Sequence, residues 1–435
     1  MKSKAFPTTV LGGAMAAALL CWSPLALARD VVIHAGHLID AVSGKVSDKM
    51  SILITDERIT AVQRGFVTPA GAEVVDLSQA TVLPGLIDCH VHMSFGVIGE
   101  GGGLAQRFTT TSSDTAFRTV AAAKRMLNLG FTSLRDLGTE TEVIVGLKRA
   151  INSGVIPGPR MYVSGMFLGP TGGHSDPRNG LDPELDHVHW DASVIDGPDE
   201  AAKAVRRLHR EGADLVKIMP SGGVLSINDD PKRTTMTDAE VGAVVTTAHA
   251  LGMKVAAHAH GKGAIDQASR LGADSVEHVT FGEPDSYQLM KKSGTYFVPT
   301  LLVANRGLKL AIEHPERLPP SSAAKAKIVA PGTIKNAGIA YRAGVKMAFG
   351  TDQTGGNGEE FALLVQADIT PMDAILMATR NAADLIGASQ DIGSIAPGRY
   401  ADIIAVKDDP IANIRTLENV AFVMKGGKVV KPLAD

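Results

Sequence analysis

The sequence predicts an α/β fold: a (β/α)8 TIM barrel with a small β-sandwich domain formed from both chain ends. Its 435 residues are 45% hydrophobic and 20% charged, which provides enough apolar material for a large core. The middle of the chain alternates short apolar runs with amphipathic stretches, a pattern typical of parallel strands joined by helices. Each end carries a few short strands that could not bury a sheet alone, so we expect the two ends to share one small domain.

The first 28 residues have the pattern of a cleavable signal peptide. A lysine-containing start is followed by an apolar stretch at residues 10–20, which is too short to span a bilayer comfortably, and by the A-x-A site Ala26-Leu27-Ala28. Cleavage after Ala28 would start the mature chain at Arg29 and export it to the periplasm or the medium, and an uncleaved anchor is the alternative. The mature chain keeps a single cysteine, Cys89, and therefore no internal disulfide.

The predicted sandwich takes residues 29–83 and 388–435, and the predicted barrel takes residues 84–387. Strand patterns occur in the first part at 31–34, 51–54 and 73–75, and in the last part at 401–406 and in a glycine-turn hairpin at 421–429. The barrel region contains eight strand patterns, at 86–92, 131–136, 160–165, 213–219, 254–260, 275–280, 296–301 and 346–352. Helical patterns between them include 115–129, 200–212 and 238–251. A doubly wound open sheet is the alternative architecture.

Side chains that bind metals stand where these predicted strands end. In Asp88-Cys89-His90-Val91-His92 the two histidines are two residues apart, so on a strand both imidazoles face the same side. Four later strands end in residues of the same kind: Lys217, the pair His258 and His260, His278, and Asp352. Each of these residues alone would have an ordinary structural explanation. Together at the carboxyl ends of barrel strands, where active sites lie, they predict a metal centre.

This arrangement resembles the amidohydrolase superfamily over nearly the whole mature chain. The segments 83–88 and 392–402 are similar to the family's entry into the barrel and its return to the sandwich. Residues 254–261 and 272–281 most resemble the branch of Xaa-Pro-type dipeptidases, imidazolonepropionase-like proteins and ochratoxin-hydrolysing amidohydrolases. The resemblance implies that His90, His92 and Asp352 bind one divalent ion and that His258 and His278 bind a second. It also implies a carbamylated Lys217 that bridges both ions, and a homo-oligomer.

The chemistry of these residues agrees with such a two-metal site. Carbamylation would turn the Lys217 ammonium, which repels cations, into a carboxylate that can reach two ions. Two ions sharing a hydroxide would lower its pKa and orient it for attack on an amide carbonyl. Asp352 could take the proton and pass it to the leaving nitrogen. The predicted catalytic residues are Asp352, Lys217 and His278, and the predicted ions are zinc, with manganese or cobalt as alternatives.

Two histidines are predicted to contact the substrate. His258 and His260 face the same way, so their spacing does not choose the ligand between them. The family pattern favours His258, which leaves His260 as a substrate contact or as a residue that supports a ligand from behind. His174, in a glycine-rich stretch after the third strand, is the other candidate. A further glycine-rich segment at 96–103 is expected to be a mobile loop, as in an active-site lid.

The preferred function is hydrolysis of an amide bond in a dipeptide or an N-acyl amino acid, including ochratoxin-type substrates. Gly261 stands where related deaminases have a glutamate, which favours hydrolysis over deamination. A cyclic amide hydrolase of the lactam or imidazolone type and a non-catalytic metal-binding or ligand-binding barrel are the alternatives. The formal net charge of −3 and the lack of a long basic run argue against a nucleic acid partner, and we expect no membrane association after processing.

Overall fold

The computed structural model describes residues 2, 29–95, 98, 109–182, 184 and 190–433. The predicted signal peptide, apart from Lys2, and the glycine-rich segment at 96–103, apart from residue 98, lie outside those residues. The strands are β1 Asp30–Asp40, β2 Lys45–Thr55, β3 Arg58–Arg64, β4 Glu73–Pro84, β5 Leu86–Val91, β6 Phe131–Asp136, β7 Arg160–Val163, β8 Leu215–Ile218, β9 Lys254–Ala259, β10 Ser275–His278, β11 Tyr296–Val298, β12 Ile403–Val406, β13 Phe422–Lys425 and β14 Lys428–Lys431.

Strands β5 to β11 and the segment 346–349 form the ring of the predicted barrel. Parallel pairs run β5-β6-β7 and β8-β9-β10-β11. Leu168 joins the two groups, because its backbone N–H donates to Lys217 O at 2.9 Å and its carbonyl accepts from Met219 N at 2.9 Å. On the other side Cys89 N donates to Phe349 O at 2.8 Å, which closes the ring at 346–349. The eighth predicted strand is thus present as a short connecting stretch with one bridge, between Phe297 and Met347.

Strands from both chain ends form one seven-stranded sheet, in the order β14-β13-β12-β4-β1-β2-β3. The prediction that both ends build one small domain is confirmed, but its strands form a continuous sheet. The segment before β12 returns to β3, where Gly398 N donates to Ile59 O at 2.8 Å and Ile59 N donates to Arg399 O at 2.9 Å. The sheet thereby surrounds a separate apolar core that includes Ile33 and Phe422.

Gly85 connects this sheet to the barrel. Strand β4 ends at Pro84 and β5 begins at Leu86, so the chain crosses from one unit to the other in a single residue. A Cβ at position 85 would lie 2.2 Å from Thr132 Oγ1, which only glycine avoids. The backbone N–H of Gly85 donates to Asp402 O at 2.9 Å, so the C-terminal end of the chain also holds this junction.

The helices cover the barrel. They are α1 Ser112–Asn128, α2 Thr141–Asn152, α3 Pro198–Glu211, α4 Asp238–Ala250, α5 Lys262–Leu271, α6 Pro284–Ser293, α7 Leu301–Glu313, α8 Pro320–Val329, α9 Thr333–Arg342, α10 Glu359–Gln366, α11 Pro371–Leu376 and α12 Ala382–Leu385. Capping boxes, Thr111 with Asp114 and Thr237 with Glu240, start α1 and α4. The three predicted helices correspond to α1, α3 and α4. Within the described residues, no helix combines the length and the apolar character needed to cross a bilayer.

Candidate metal centre

His90, His92 and Asp352 come together at the carboxyl ends of the barrel strands. One possible ligand atom from each lies within 4.8 Å of the others. Asp352 Oδ1 is 3.7 Å from His90 Nε2 and 3.4 Å from His92 Nε2. The Asp352 backbone N–H donates to His90 O at 2.7 Å, which ties the first and last barrel segments together beside the ligands. The three residues predicted to hold one ion therefore lie close enough to share it.

A second group contains His258, His260 and His278, with ligand atoms again within 4.8 Å of one another. The ring centroids of His258 and His278 are 4.7 Å apart, and those of His260 and His278 are 4.8 Å apart. His278 is also 5.1 Å from the His90 ring, so the two groups adjoin. The structure brings together both histidines between which the sequence spacing could not choose.

Lys217 lies in the same cavity, with a relative exposure of only 1%. Burial lowers the pKa of its amine to about 8, although the negative charges of Glu277 and Asp352 act in the opposite direction. At pH 7 a lysine with this pKa is about one-tenth neutral amine, and neutral amine is the form that adds to carbon dioxide.

Four imidazoles are oriented by partners behind the cavity. The nitrogen Nδ1 of each has a partner: Glu277 Oε2 at 2.9 Å for His90, Gly138 O at 2.9 Å for His92, Thr280 Oγ1 at 2.7 Å for His260, and Thr300 Oγ1 at 2.6 Å for His278. Such partners fix the tautomer and the ring direction of metal-binding histidines. His90 Nε2 is buried and has no hydrogen-bond partner among the described residues. A buried nitrogen without a partner is costly unless a cation completes it, so the residues fit a metal ion.

His258 is oriented differently. Its Nε2 lies 3.2 Å from Gly222 O, and because a carbonyl only accepts, Nε2 carries the hydrogen in that contact. Its Nδ1 is then the nitrogen with a free lone pair. The ring stacks on His174 at a centroid distance of 4.5 Å. His174 thus lies beside His258 and lines the same cavity.

Burial keeps the histidines neutral. It lowers the pKa of His90, His258 and His278 well below the usual range, and that of His92 and His260 to about 3. Neutral imidazole has the lone pair that a metal requires. Burial raises the pKa of Asp352 to about 7, against the influence of Lys217, so this carboxyl can both take and release a proton near neutral pH.

Glu277 and Arg135 support the centre and were not predicted from the sequence. Glu277 is fully buried, contacts His90 with one oxygen, and accepts from an Arg135 terminal N–H at 2.9 Å with the other. Arg135 also donates to Ser275 Oγ at 2.9 Å and to the Cys89 carbonyl. Two charged residues inside apolar strands were the available signal, because buried charges are almost always paired.

Backbone conformation also marks this part of the molecule. His278 and Asp352 have φ angles of 73° and 56°, in the left-handed region that non-glycine residues rarely adopt. Asp88, two residues before His90, fixes the backbone and side chains next to Asp352. Its carboxylate accepts from Thr351 Oγ1 at 2.7 Å and from Asn357 Nδ2 at 2.8 Å. Strained backbone supported by buried hydrogen bonds is common at functional sites.

The ligand groups form one end of a cavity that is open to solvent. The remaining wall is mostly apolar. It contains Met219, Val224, Leu225, Pro299, Val303, Ala304, Leu318, Ala326, Val329 and Ala330. This combination of a polar end and an apolar wall suits a small molecule that has both a polar reacting group and an apolar portion.

Comparisons with known proteins agree with this geometry. The amidohydrolase family model matches residues 81–430. An ochratoxinase from Aspergillus niger is 31% identical over 437 aligned residues, which cover 93% of this chain and 87% of the relative. A Xaa-Pro dipeptidase solved with methionine in its active site has a TM-score of 0.88 at 36% identity, covering 93% of this chain and 100% of that one. A prolidase solved with N-methylphosphonate-L-proline has a TM-score of 0.86 at 30% identity, with 93% and 100% coverage.

The family match spans most of the chain, and the structural neighbours share both the barrel and the end domain. The resemblance that the strand-end residues suggested is therefore confirmed, including the branch that contains ochratoxinase and Xaa-Pro dipeptidases. The alternative of a doubly wound open sheet is wrong, because hydrogen bonds close the barrel ring. The chain belongs to the amidohydrolase family and is a hydrolase that acts on carbon–nitrogen bonds.

Proposed function

We propose that this protein is a dinuclear metal-dependent hydrolase that cleaves the amide bond of a dipeptide or an N-acyl amino acid. The proposal rests on two ligand groups that adjoin in one cavity, which also contains Lys217. The first group is His90, His92 and Asp352, and the second is His258, His260 and His278. One group alone would support a single ion. Two adjoining groups with a buried lysine support a pair.

The residues of the chain divide between the two ions. His90, His92 and Asp352 would hold one, and His258 and His278 would hold the other, with a carbamate on Lys217 contacting both. Imidazole and carboxylate ligands suit zinc, and manganese and cobalt are alternatives. When bound, the ions supply an activated water and polarise the carbonyl oxygen of the substrate.

Asp352 is the group proposed to move the proton. Its carboxyl would accept a proton during attack and return it to the nitrogen that leaves. Its side chain is 22% exposed, so it reaches the cavity while remaining beside both histidines. The proposed catalytic residues are Asp352, Lys217 and His278. His260 and His174 are the proposed substrate contacts.

The proposed substrate has an apolar side chain beside its amide. The apolar wall formed by Val303, Leu318 and Val329 would hold such a side chain and keep water from the reacting bond. The relatives named above support this class, because one is a dipeptidase with methionine bound, one is a prolidase and one is an ochratoxinase. A dipeptide or an aryl-acyl amino acid matches both the wall and the relatives.

A substrate panel with metal analysis tests the proposal. Dipeptides, N-acyl amino acids and lactams are incubated with zinc-loaded protein, products are measured by liquid chromatography, and bound metal is counted in the same sample. We expect cleavage of linear amides with apolar side chains and two ions per chain. Cleavage of lactams alone would favour the cyclic amide alternative, and no cleavage with metal bound would refute hydrolysis of this class.

Lys217→Ala tests the paired ions more directly. We expect it to lower kcat/KM by about a thousandfold and to reduce the metal content, since the bridging ligand is gone. Lys309→Ala is the matched control, because this lysine lies on α7 with a side chain that is 69% exposed. Normal turnover in the Lys217 variant would rule out the proposed mechanism.

We also propose that the chain is exported. The positive start, the apolar stretch at 10–20 and the Ala26-Leu27-Ala28 site support this proposal. Expression of the full chain in a Gram-negative host, followed by N-terminal sequencing of the periplasmic fraction, tests it. We expect the product to begin at Arg29, and a full-length product in the cytoplasm would contradict the proposal.

A further inference from the structure

The hydroxyl that orients His278 belongs to a residue at the start of a helix. Thr300 lies directly before α7, at the position where a threonine ordinarily caps a helix with its own hydroxyl. Here the hydroxyl donates to Pro299 O at 2.8 Å and lies 2.6 Å from His278 Nδ1. Because its one hydrogen goes to a carbonyl, the Thr300 oxygen accepts from His278, and Nδ1 carries the hydrogen. The lone pair of this neutral imidazole is then on Nε2, and a metal ligand needs such a lone pair.

Three other helices that begin after a threonine show the ordinary arrangement. Thr111, Thr237 and Thr370 precede α1, α4 and α11 with extended backbone, and the side chain of each accepts from the backbone N–H three residues later. Thr300 instead has φ 49° and ψ 45°, in the left-handed region that a β-branched residue rarely adopts. In this conformation its hydroxyl contacts His278 rather than the backbone of α7. The first N–H groups of α7 therefore need another acceptor.

Glu360 supplies that acceptor from a different helix. It is the second residue of α10 and is fully buried. Its two carboxyl oxygens accept from Leu301 N at 2.9 Å and from Leu302 N at 2.6 Å, which are the first two backbone N–H groups of α7. Leu301 and Leu302 are each only 1% exposed, so water is a poor substitute for the carboxyl group. Glu360 thus performs for α7 the capping that the Thr300 hydroxyl does not perform.

We propose that Glu360 is a positioning residue for the metal centre. By capping α7 it leaves the Thr300 hydroxyl available to hold His278 Nδ1, so that Nε2 is presented to the second ion. His278 and Thr300 both have left-handed backbone, with φ angles of 73° and 49°, so their hydrogen bond depends on how firmly the start of α7 is fixed. The inference rests on the proposed function for the presence of that ion. It assigns a specific part in metal binding to a buried acid that the proposed mechanism does not use.

A zinc titration of the metal-free protein against a competing chelator tests this role. We expect Glu360→Gln, which replaces one accepting oxygen by an amide nitrogen, to weaken the binding of one ion by about tenfold to a hundredfold, the usual effect of changing a group behind a metal ligand. Thr300→Val removes the hydroxyl and should weaken the same ion to a similar extent, whereas Thr300→Ser should bind it nearly as well as the wild type. Glu359→Gln is the matched control, because the side chain of this neighbour is 48% exposed and pairs with Arg306.

The double variant separates positioning from a general loss of stability. Glu360→Gln should weaken zinc binding little further in a Thr300→Val background, because Glu360 acts on the ion only through that hydroxyl. A change that merely loosens the barrel would weaken binding by the same factor in both backgrounds. Equal losses of affinity with and without the Thr300 hydroxyl, or wild-type affinity in Glu360→Gln, would overturn the proposal. Glu360→Asp, which shortens the reach of the acid, replaces Glu360→Gln with the same expected outcomes if the latter does not fold.

A second measurement needs neither zinc nor turnover. In ¹⁵N-histidine spectra of the metal-free protein, the resonances missing from His278→Ala identify this residue. We expect His278 to be protonated at Nδ1 in the wild type and to be a mixture of tautomers in both Glu360→Gln and Thr300→Val. A wild-type ring protonated only at Nε2, or an unchanged tautomer in Glu360→Gln, would overturn the proposal even if the protein cleaves amides. If the substrate panel finds no hydrolysis, the proposed function fails, while this measurement still decides how His278 is held.

Discussion

Replacing Glu277 by glutamine tests how much the buried network behind the metal centre stabilises the barrel. Glu277 is fully buried, and the Arg135 side chain that it contacts is only 3% exposed. Glutamine keeps the shape but removes the negative charge, which leaves the Arg135 guanidinium without compensation in the interior. Removing one partner of a buried ion pair costs about 3–5 kcal/mol. Since glutamine retains one oxygen as an acceptor, we expect the free energy of unfolding to fall by an amount near the lower end of this range, about 3 kcal/mol.

Urea unfolding of the metal-free protein, followed by circular dichroism, measures this loss without interference from bound ions. The matched control is Glu73→Gln, because the pair of Glu73 with Arg29 has side chains that are 53% and 49% exposed. We expect Glu73→Gln to lower the free energy of unfolding by only about 0–1 kcal/mol, as for other exposed salt bridges. A Glu277→Gln protein no less stable than the Glu73→Gln protein would refute the reasoning that this charge pair is desolvated and structurally required.

Three further outcomes follow from the structure. Gly350→Ala should lower the free energy of unfolding by about 1–3 kcal/mol and weaken metal binding in a calorimetric titration. The new alanine Cβ would lie 2.4 Å from Val298 Cγ1 and 2.9 Å from His90 Cβ. Unchanged metal binding would contradict this prediction. In a chain starting at Arg29, Cys89 should resist a thiol reagent at pH 8 until the protein unfolds. The thiol is fully buried, and burial raises its pKa to about 12. Rapid labelling of the folded protein would refute this prediction. Chelation should abolish amide hydrolysis and zinc should restore it, whereas full activity after complete metal removal would exclude the metal mechanism.

Much of the fold and of the candidate site could be predicted because both depend on local patterns. Apolar runs separated by amphipathic helices identify parallel strands, and a barrel places its chemistry where those strands end. The spacing of His90 and His92 put both rings on one face, and Lys217, His278 and Asp352 each lay near the end of a recognisable strand pattern. These predictions needed no knowledge of which distant residues touch.

The residues that could not be predicted interact over long sequence separations. Glu277 and Arg135 are recognisable as buried charges, but nothing local pairs them across 142 positions. The same holds for the Ser226 partner of His174, which lies 52 positions later in an irregular loop. The continuous end sheet depends on the pairing of β12 with β4, whereas strand patterns alone are compatible with two separate layers.

The junction at Gly85 has a consequence for the order in which the protein can be made. Strand β4, which leads through Gly85 into β5 and the proposed ligands His90 and His92, pairs with β12 near the end of the chain. A ribosome therefore releases β4 long before β12 exists, and contacts of such high sequence separation form slowly. Until the final segment emerges, the edge of β4 remains open to pairing with other chains. The end sheet that leads into the proposed ligands His90 and His92 is therefore complete only after translation has finished.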